Sequence, residues 1–154
     1  MTVAELSKTI EFLIDEARER NGFLVYWSDY ERKVVEQHCP DRYDQFLDVA
    51  FNVKPPVDRM YKSTHAAADE TRPDNLVGYM KYYFPKNTET GAIEPGPADS
   101  CRRLDLICEK EHRWRNWGDK QKKLASNLLG YNRSDCRSAW KLTLKLAKHL
   151  DARN

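Results

Sequence analysis

The sequence predicts a mainly α-helical protein: a compact helical domain with a helix-turn-helix-like lobe at its C-terminal end. Apolar residues recur at helical spacing through most segments, and capping patterns, prolines and glycines mark where those segments begin and end. At 154 residues the chain has the size of one ordinary domain. We therefore expect one domain with two lobes.

Five helices are expected in the N-terminal part. The first follows a capping-box pattern at Thr2 and Glu5 and ends at Asn21-Gly22. Its apolar face comprises Val3, Leu6, Ile10, Leu13, Ile14 and Ala17. The second lies between the Ser28/Glu31 capping box and Pro40. These two helices have the clearest signals for both of their ends.

The next three helices have weaker boundaries. A third helix starting near Asp41 has the apolar face Tyr43, Phe46, Leu47, Ala50 and Phe51, and a fourth follows Pro55-Pro56 from Val57 to about Ala68. Asp74 is the expected cap of a fifth, which carries Leu76, Val77, Met80, Tyr83 and Phe84. The aromatic residues of this last segment also suit a strand, and we favour a helix.

Charge divides the chain into two parts. Residues 1–100 hold 12 basic and 18 acidic residues, whereas residues 101–154 hold 14 basic and 6 acidic ones. The segment 85–100 between them is dense in turn formers and poor in large apolar residues, which predicts a loop. We therefore expect an acidic helical lobe at 1–84, a linker at 85–100 and a basic lobe at 101–154.

The basic lobe predicts three helices, of which the last two resemble a helix-turn-helix. They run from about Ser100 to Trp117, from Gly118-Asp119 to Gly130, and from about Arg133 to Leu150. In a helix-turn-helix the first helix needs a small contact residue and the turn needs a residue tolerant of positive φ. Ser126 and Gly130 fill these positions. The residues expected to pack the two helices together are Leu129, Tyr131, Cys136 and Ala139.

The final predicted helix carries a basic stripe beside an apolar face. Cations recur every fourth residue, which places them on one slowly drifting side of the helix. The predicted DNA-binding residues are Arg133, Ser134, Arg137, Ser138, Lys141 and Lys145, the first four near base edges and the lysines near phosphates. The predicted apolar face is Cys136, Ala139, Trp140, Thr143, Leu146, Ala147 and Leu150.

Two interpretations of this region stay open. An ordinary helical hairpin with a solvated basic face has the same pattern as a DNA reader. Asp135 argues against DNA, since a carboxylate in the first turn of a recognition helix repels phosphate unless it faces sideways or accepts from a cytosine amine.

The segment from Gly130 to Lys141, Gly-Tyr-Asn-Arg-Ser-Asp-Cys-Arg-Ser-Ala-Trp-Lys, resembles the turn and recognition helix of sigma-factor region-4-like and related phage transcription regulators. The resemblance covers about Gly118 to Leu150. It implies promoter-type DNA as ligand, alongside RNA polymerase, in a bacterial or phage setting. Ala125 departs from the family, which usually has a larger aliphatic residue there, and no other sigma region is matched.

Other constellations favour structural roles. Trp114 and Trp117 stand among basic residues, which suits either base stacking or a small core, and we prefer the core. Cys101 and Cys108 have six residues between them and His112 nearby, a weak zinc pattern, so buried reduced thiols are expected. No phosphate loop, zinc-protease helix or serine elbow occurs in the sequence. We expect no catalysis, cofactor or metal.

The sequence thus predicts a cytoplasmic DNA-binding transcription regulator that binds duplex DNA with the helix 133–150, without a signal peptide or membrane span. Its acidic lobe is expected to form a homodimer or to bind a protein partner. The rival hypothesis is a phage-type inhibitor or adaptor that occupies a partner's nucleic-acid channel with an acidic face. The candidate face is Glu5, Glu11, Asp15, Glu16 and Glu19.

Overall fold

The fold is mainly helical, as the sequence predicts. The computed structural model describes residues 3–64, 72–86 and 96–153. The helices and strands within these ranges are α1 Val3–Glu19, β1 Leu24–Tyr26, α2 Asp29–His38, α3 Tyr43–Val49, β2 Ala50–Asn52, α4 Lys54–Thr64, α5 Leu76–Tyr83, α6 Pro97–Lys110 and α7 Asp119–Asp151. Short 3-10 turns occupy Pro40–Arg42 and Trp114–Asn116.

The chain forms two compact units. The first unit contains residues 1–71 and 139–154, and the second contains residues 72–138. This division differs from the boundary expected at 85–100, because α5 groups with the basic part of the chain and the end of α7 groups with the N-terminal helices.

The core of the first unit forms where α1 packs on α2 and α3. Ile14 is fully buried on the predicted face of α1. The buried cluster consists of Ile10, Ile14, Ala17, Val35, Cys39, Phe46 and Val49. Leu13 was expected on the same face but is 44% exposed. At 100° per residue it lies about 60° from Ile10 and about 100° from Ile14, at the edge of the buried sector. The apolar spacing of α1 thus predicts the buried positions Ile10, Ile14 and Ala17, but not the exposure of Leu13.

Local capping signals decide several helix ends. Ser28 caps α2 in the predicted capping box with Glu31, and α2 ends before Pro40. Asn21 adopts a left-handed φ of 49° after α1, and the Gly22 amide donates to the Ala17 carbonyl oxygen over 2.8 Å. The predicted cap at Thr2 lies outside the described residues. Asn75, not Asp74, caps α5, because its side chain accepts from the Gly78 amide at 2.8 Å.

The prediction that Ala50 and Phe51 belong to the third helix is wrong. They form β2, which pairs in parallel with β1 in the register Leu24 with Ala50, Val25 with Phe51 and Tyr26 with Asn52. The Val53 amide extends this pairing by donating to the Tyr26 carbonyl oxygen at 3.0 Å. Pairing with a distant strand outweighs the local helical spacing here, since strand formation depends on tertiary context.

Three other boundaries also shift. The fourth helix begins at Lys54 rather than Val57, with both prolines in its first turn, where their missing amides cost no helical hydrogen bond. Its predicted end and most of the predicted linker fall in residues 65–71 and 87–95, outside the described part of the chain. α6 starts at Pro97 and ends at Lys110, earlier than the expected Trp117. α5 is a helix, as favoured.

Candidate nucleic-acid interface

The predicted turn at Gly130 does not exist. Residues Asp119–Asp151 form one continuous helix of 33 residues, α7, about 50 Å long at 1.5 Å per residue. No described glycine has a positive φ, so Gly130 does not adopt the left-handed conformation of a helix-ending cap. Glycine disfavours a helix interior by only about 1 kcal/mol relative to alanine, which flanking helix formers overcome. The helix-turn-helix-like lobe and the packing scheme built on it are therefore wrong.

The residues expected to pack two helices together confirm this correction. Ser126 is exposed rather than covered by a second helix, and Leu129 is 66% exposed. Cys136 is also exposed, while Ala139 is buried. The buried side of α7 in the first unit contains Leu142 and Leu146. Trp140, predicted to be apolar core, is 55% exposed because it lies about 160° around the helix from Leu142.

The second unit's part of α7 presents an exposed row with cations at both ends. Its members are separated by three or four residues, so they fall within a sector of about 80° around the helix axis. We name this row the α7 basic face, and it consists of Lys123, Ser126, Gly130, Arg133 and Arg137, all exposed. Lys123 lies about 15 Å along the axis from Arg133 and about 21 Å from Arg137. Two small residues separate the cations.

Gly130 is the middle of this face. A Cβ placed on Gly130 would meet no heavy atom within 4 Å, so packing does not require glycine there. Together with Ser126 it leaves a low stretch of helix surface between the cations. Another molecule's backbone can therefore approach α7 closely at this point.

The cations of the α7 basic face are not engaged within the described part of the chain. Lys123, Arg133 and Arg137 have no salt bridge there and no side-chain hydrogen bond. Asp135 does not face them, because a residue two positions from Arg133 and Arg137 lies about 160° away around the helix. The Asp135 carboxylate interacts instead with the Tyr131 hydroxyl through a hydrogen bond and through its negative charge. Burial raises the pKa of Tyr131, and Asp135 raises it further. The carboxylate that argued against a phosphate ligand thus lies on the other side of α7.

The six predicted DNA-binding residues differ in exposure and in the unit to which they belong. Arg133 and Arg137 lie together on the α7 basic face, and Ser134 beside them is half-buried. Ser138 is only 4% exposed, so it packs inside the protein and presents no hydroxyl to a ligand. The lysines Lys141 and Lys145 belong to the first unit, the former half-buried and the latter exposed. The sequence argument grouped Lys123 with the basic residues around the tryptophans and not with Arg133 and Arg137. The assumed turn at Gly130 hid the helical steps of three, four and three residues that join Lys123 to Arg133.

Residues 111–118, between α6 and α7, form a segment that we name the tryptophan loop. Trp117 is 9% exposed, and its indole Nε1–H donates to the Glu111 carbonyl oxygen over 2.8 Å. Trp114 is 51% exposed with its ring centroid 5.0 Å from that of Trp117. The Gly118 amide donates to Gln121 Oε1 at 2.7 Å, and the Gly118 carbonyl oxygen accepts the first helical bond of α7, from the Lys122 amide at 3.0 Å. The core interpretation therefore holds for Trp117 but not for Trp114.

Glu111 holds this loop through two hydrogen bonds. Its carboxylate accepts from Asn116 Nδ2 and from the Arg113 amide, both at 2.9 Å. These two hydrogen bonds lower the pKa of Glu111 below its ordinary 4.5, and the bond from Asn116 has the larger effect. Because the pKa of Glu111 is lower in the folded state, its carboxylate stabilises the folded state fully above the ordinary pKa. This stabilisation is lost as the pH falls through the folded-state pKa.

We expect acid to loosen the tryptophan loop through Glu111. In an NMR titration from about pH 6 to pH 3, the Trp117 indole N–H signal should move as Glu111 is protonated. Glu111→Gln should remove most of that movement, because its amide does not titrate. Glu109→Gln is the control, since Glu109 makes no side-chain hydrogen bond among the described residues. An identical titration of Trp117 in the wild type and in Glu111→Gln would contradict this role.

The acidic face on α1 is partly neutralised within the first unit. Arg42 Nη2 forms a salt bridge with Asp15, and Arg20 Nη2 lies 2.7 Å from Glu16 Oε2. Glu11 accepts from the Ser7 hydroxyl at 3.4 Å. Carboxylates that already hold guanidinium groups present a weaker negative surface to a partner. This arrangement gives the nucleic-acid-mimic hypothesis no specific support.

The expectation that Cys101 and Cys108 are buried is wrong for Cys101 and only half met by Cys108, whereas Cys39 is buried. Cys101 and Cys136 are exposed, Cys108 is half-buried, and all four thiols are free. Among residues 3–64, 72–86 and 96–153, no three His, Cys, Asp or Glu side chains gather as metal ligands would. Over the same ranges, no helix combines the length and the apolarity needed to cross a lipid bilayer.

Comparisons of the chain with protein-family models, with curated proteins and with solved structures find no match.

Proposed function

We propose that this protein is a non-catalytic DNA-binding protein that holds duplex phosphates with the α7 basic face. One observation carries the proposal: Lys123, Arg133 and Arg137 are exposed, aligned on one continuous helix and free of intramolecular salt bridges in the described residues. Cations without internal partners release the counterions of a phosphate backbone when they bind it, which favours association. The helical backbone sets the spacing of these cations along the axis.

The shape of this face suits a polyanion of regular geometry. Duplex DNA carries one negative charge per about 1.7 Å of its axis, so a row of cations about 21 Å long meets several phosphates. The small side chains at Ser126 and Gly130 let the helix approach the backbone between those contacts. Trp114, exposed next to Arg113 and Arg115, adds a further basic and aromatic surface in the same unit.

The proposed contact is with the backbone rather than with base edges. A recognition helix presents its N-terminal turns to the bases, and Arg133 lies 14 residues inside α7, counted from Asp119. Phosphate contacts position a protein without specifying sequence. We therefore propose binding that is largely independent of sequence, and the narrower proposal of a transcription regulator acting alongside RNA polymerase depends on contacts outside this face.

Fluorescence anisotropy of a labelled random duplex, measured across a salt series, tests the proposal. Three phosphate contacts predict a slope of about −2.7 in log affinity against log salt, so affinity should fall about 40-fold between 50 and 200 mM salt. Poly-glutamate, which carries charge without the duplex geometry, is the competitor control. Absence of duplex binding at the lowest salt would refute the proposed function.

A further inference from the structure

A groove in the first unit is separate from the α7 basic face. It lies between β2 with the start of α4 and the last turns of α7, and its volume is about 340 Å³. Its apolar lining is Phe51, Pro56, Met60, Leu146 and Leu150. Leu150 is 52% exposed and Phe51 37% exposed, although both are large apolar side chains. We name this feature the α4–α7 groove.

The polar groups at the α4–α7 groove are basic. Arg59 and Arg153 are exposed lining residues, and neither has a salt bridge or side-chain hydrogen bond within the described ranges. His149 also lines the groove, with Nε2 3.5 Å from Ser63 Oγ. The neighbouring carboxylate of Asp58 is directed to Lys54, with 3.8 Å between Oδ2 and Nζ. None of the lining residues is acidic.

We propose that the α4–α7 groove binds a small amphipathic carboxylate, with its apolar part against the lining and its carboxylate at Arg59 and Arg153. The volume is at the lower end of the range of about 300 to 1,000 Å³ typical of small-molecule sites, which fits a medium-chain fatty acid. Guanidinium groups match carboxylates through paired hydrogen bonds. This binding does not depend on DNA.

The test uses the full chain with 8-anilinonaphthalene-1-sulfonate as the fluorescent probe, an aromatic sulfonate that shares an apolar body and one negative charge with the proposed ligand. Decanoate should displace the probe, and decanol, which lacks the charge, should do so about tenfold less well. Circular dichroism of every sample verifies that the probe reports a folded protein. Displacement by an acidic amphipathic peptide without displacement by decanoate would overturn the proposal in favour of protein docking.

Variants separate the charge contribution from the apolar one. Arg59→Gln and Arg153→Gln should each weaken decanoate about three- to fivefold and leave decanol unchanged. Leu150→Asp, at a half-exposed position, should weaken decanoate about tenfold or more by placing a like charge in the groove. Lys62→Gln removes an exposed cation from α4 outside the groove and is the matched control. Wild-type decanoate affinity in both arginine variants would overturn the proposal.

Discussion

Replacing Gly130 with proline should lower the free energy of unfolding by about 3 kcal/mol, and replacing it with alanine should raise it by up to about 1 kcal/mol. Proline in a helix interior removes a backbone hydrogen bond and clashes with the preceding turn. Alanine loses less backbone entropy on folding than glycine does, and open space surrounds the position where its Cβ would stand. Both effects follow from the continuity of α7 through residue 130.

Urea unfolding followed by circular dichroism measures both Gly130 variants. The sign of the alanine effect distinguishes the two architectures, since a glycine in a left-handed turn is destabilised by alanine whereas a helical glycine is stabilised. Ser126→Ala, at a neighbouring exposed helical position, is the control and should change stability by less than about 0.5 kcal/mol. A loss of stability in Gly130→Ala would restore the turn and contradict the continuous helix.

The triple variant Lys123→Gln, Arg133→Gln and Arg137→Gln should bind random duplex DNA about 100-fold more weakly at low salt. This figure corresponds to about 1 kcal/mol for each phosphate contact that is lost. The glutamines keep much of each side chain's length and the helix propensity, so the fold should be unchanged. Anisotropy titrations of wild type and variant in the same buffer provide the comparison.

A charge-matched variant controls for the loss of net charge. Lys81→Gln, Arg103→Gln and Lys110→Gln remove three exposed cations of the second unit that lie off α7. Their loss should weaken DNA binding by less than about tenfold, because only long-range attraction changes. Equal losses in the two triple variants would show that net charge, and not the α7 basic face, holds the DNA.

Signals close together in sequence predicted structure well. The capping box at Ser28 and Glu31 fixes the start of α2, and helical spacing gives the buried side of α1 apart from Leu13. These features depend on residues within one or two turns of each other. The parallel pairing of β1 with β2 was missed because it joins segments 26 residues apart, such as Leu24 and Ala50. No local pattern encodes that contact.

The missed continuity of α7 had a detectable signal. On its inward side, Leu124, Leu128 and Tyr131 are half-buried at spacings of four and three, which continue in phase across Gly130. A tight turn would reset this phase, and the sequence contains no proline in the segment to force a break. The exposed cations Lys123 and Arg133 likewise fall on one side of a helix that continues through Gly130. The helical period was therefore better evidence than the single glycine.

The most direct test of DNA binding by the α7 basic face is a ¹H–¹⁵N NMR titration of the full chain with a short random duplex. The account predicts that the largest amide shifts cluster at Lys123, Ser126, Gly130, Arg133 and Arg137. Side-chain signals of Arg133 and Arg137 should shift with them and return as salt is added. Shifts concentrated elsewhere, with this row unchanged at saturating DNA, would contradict the account.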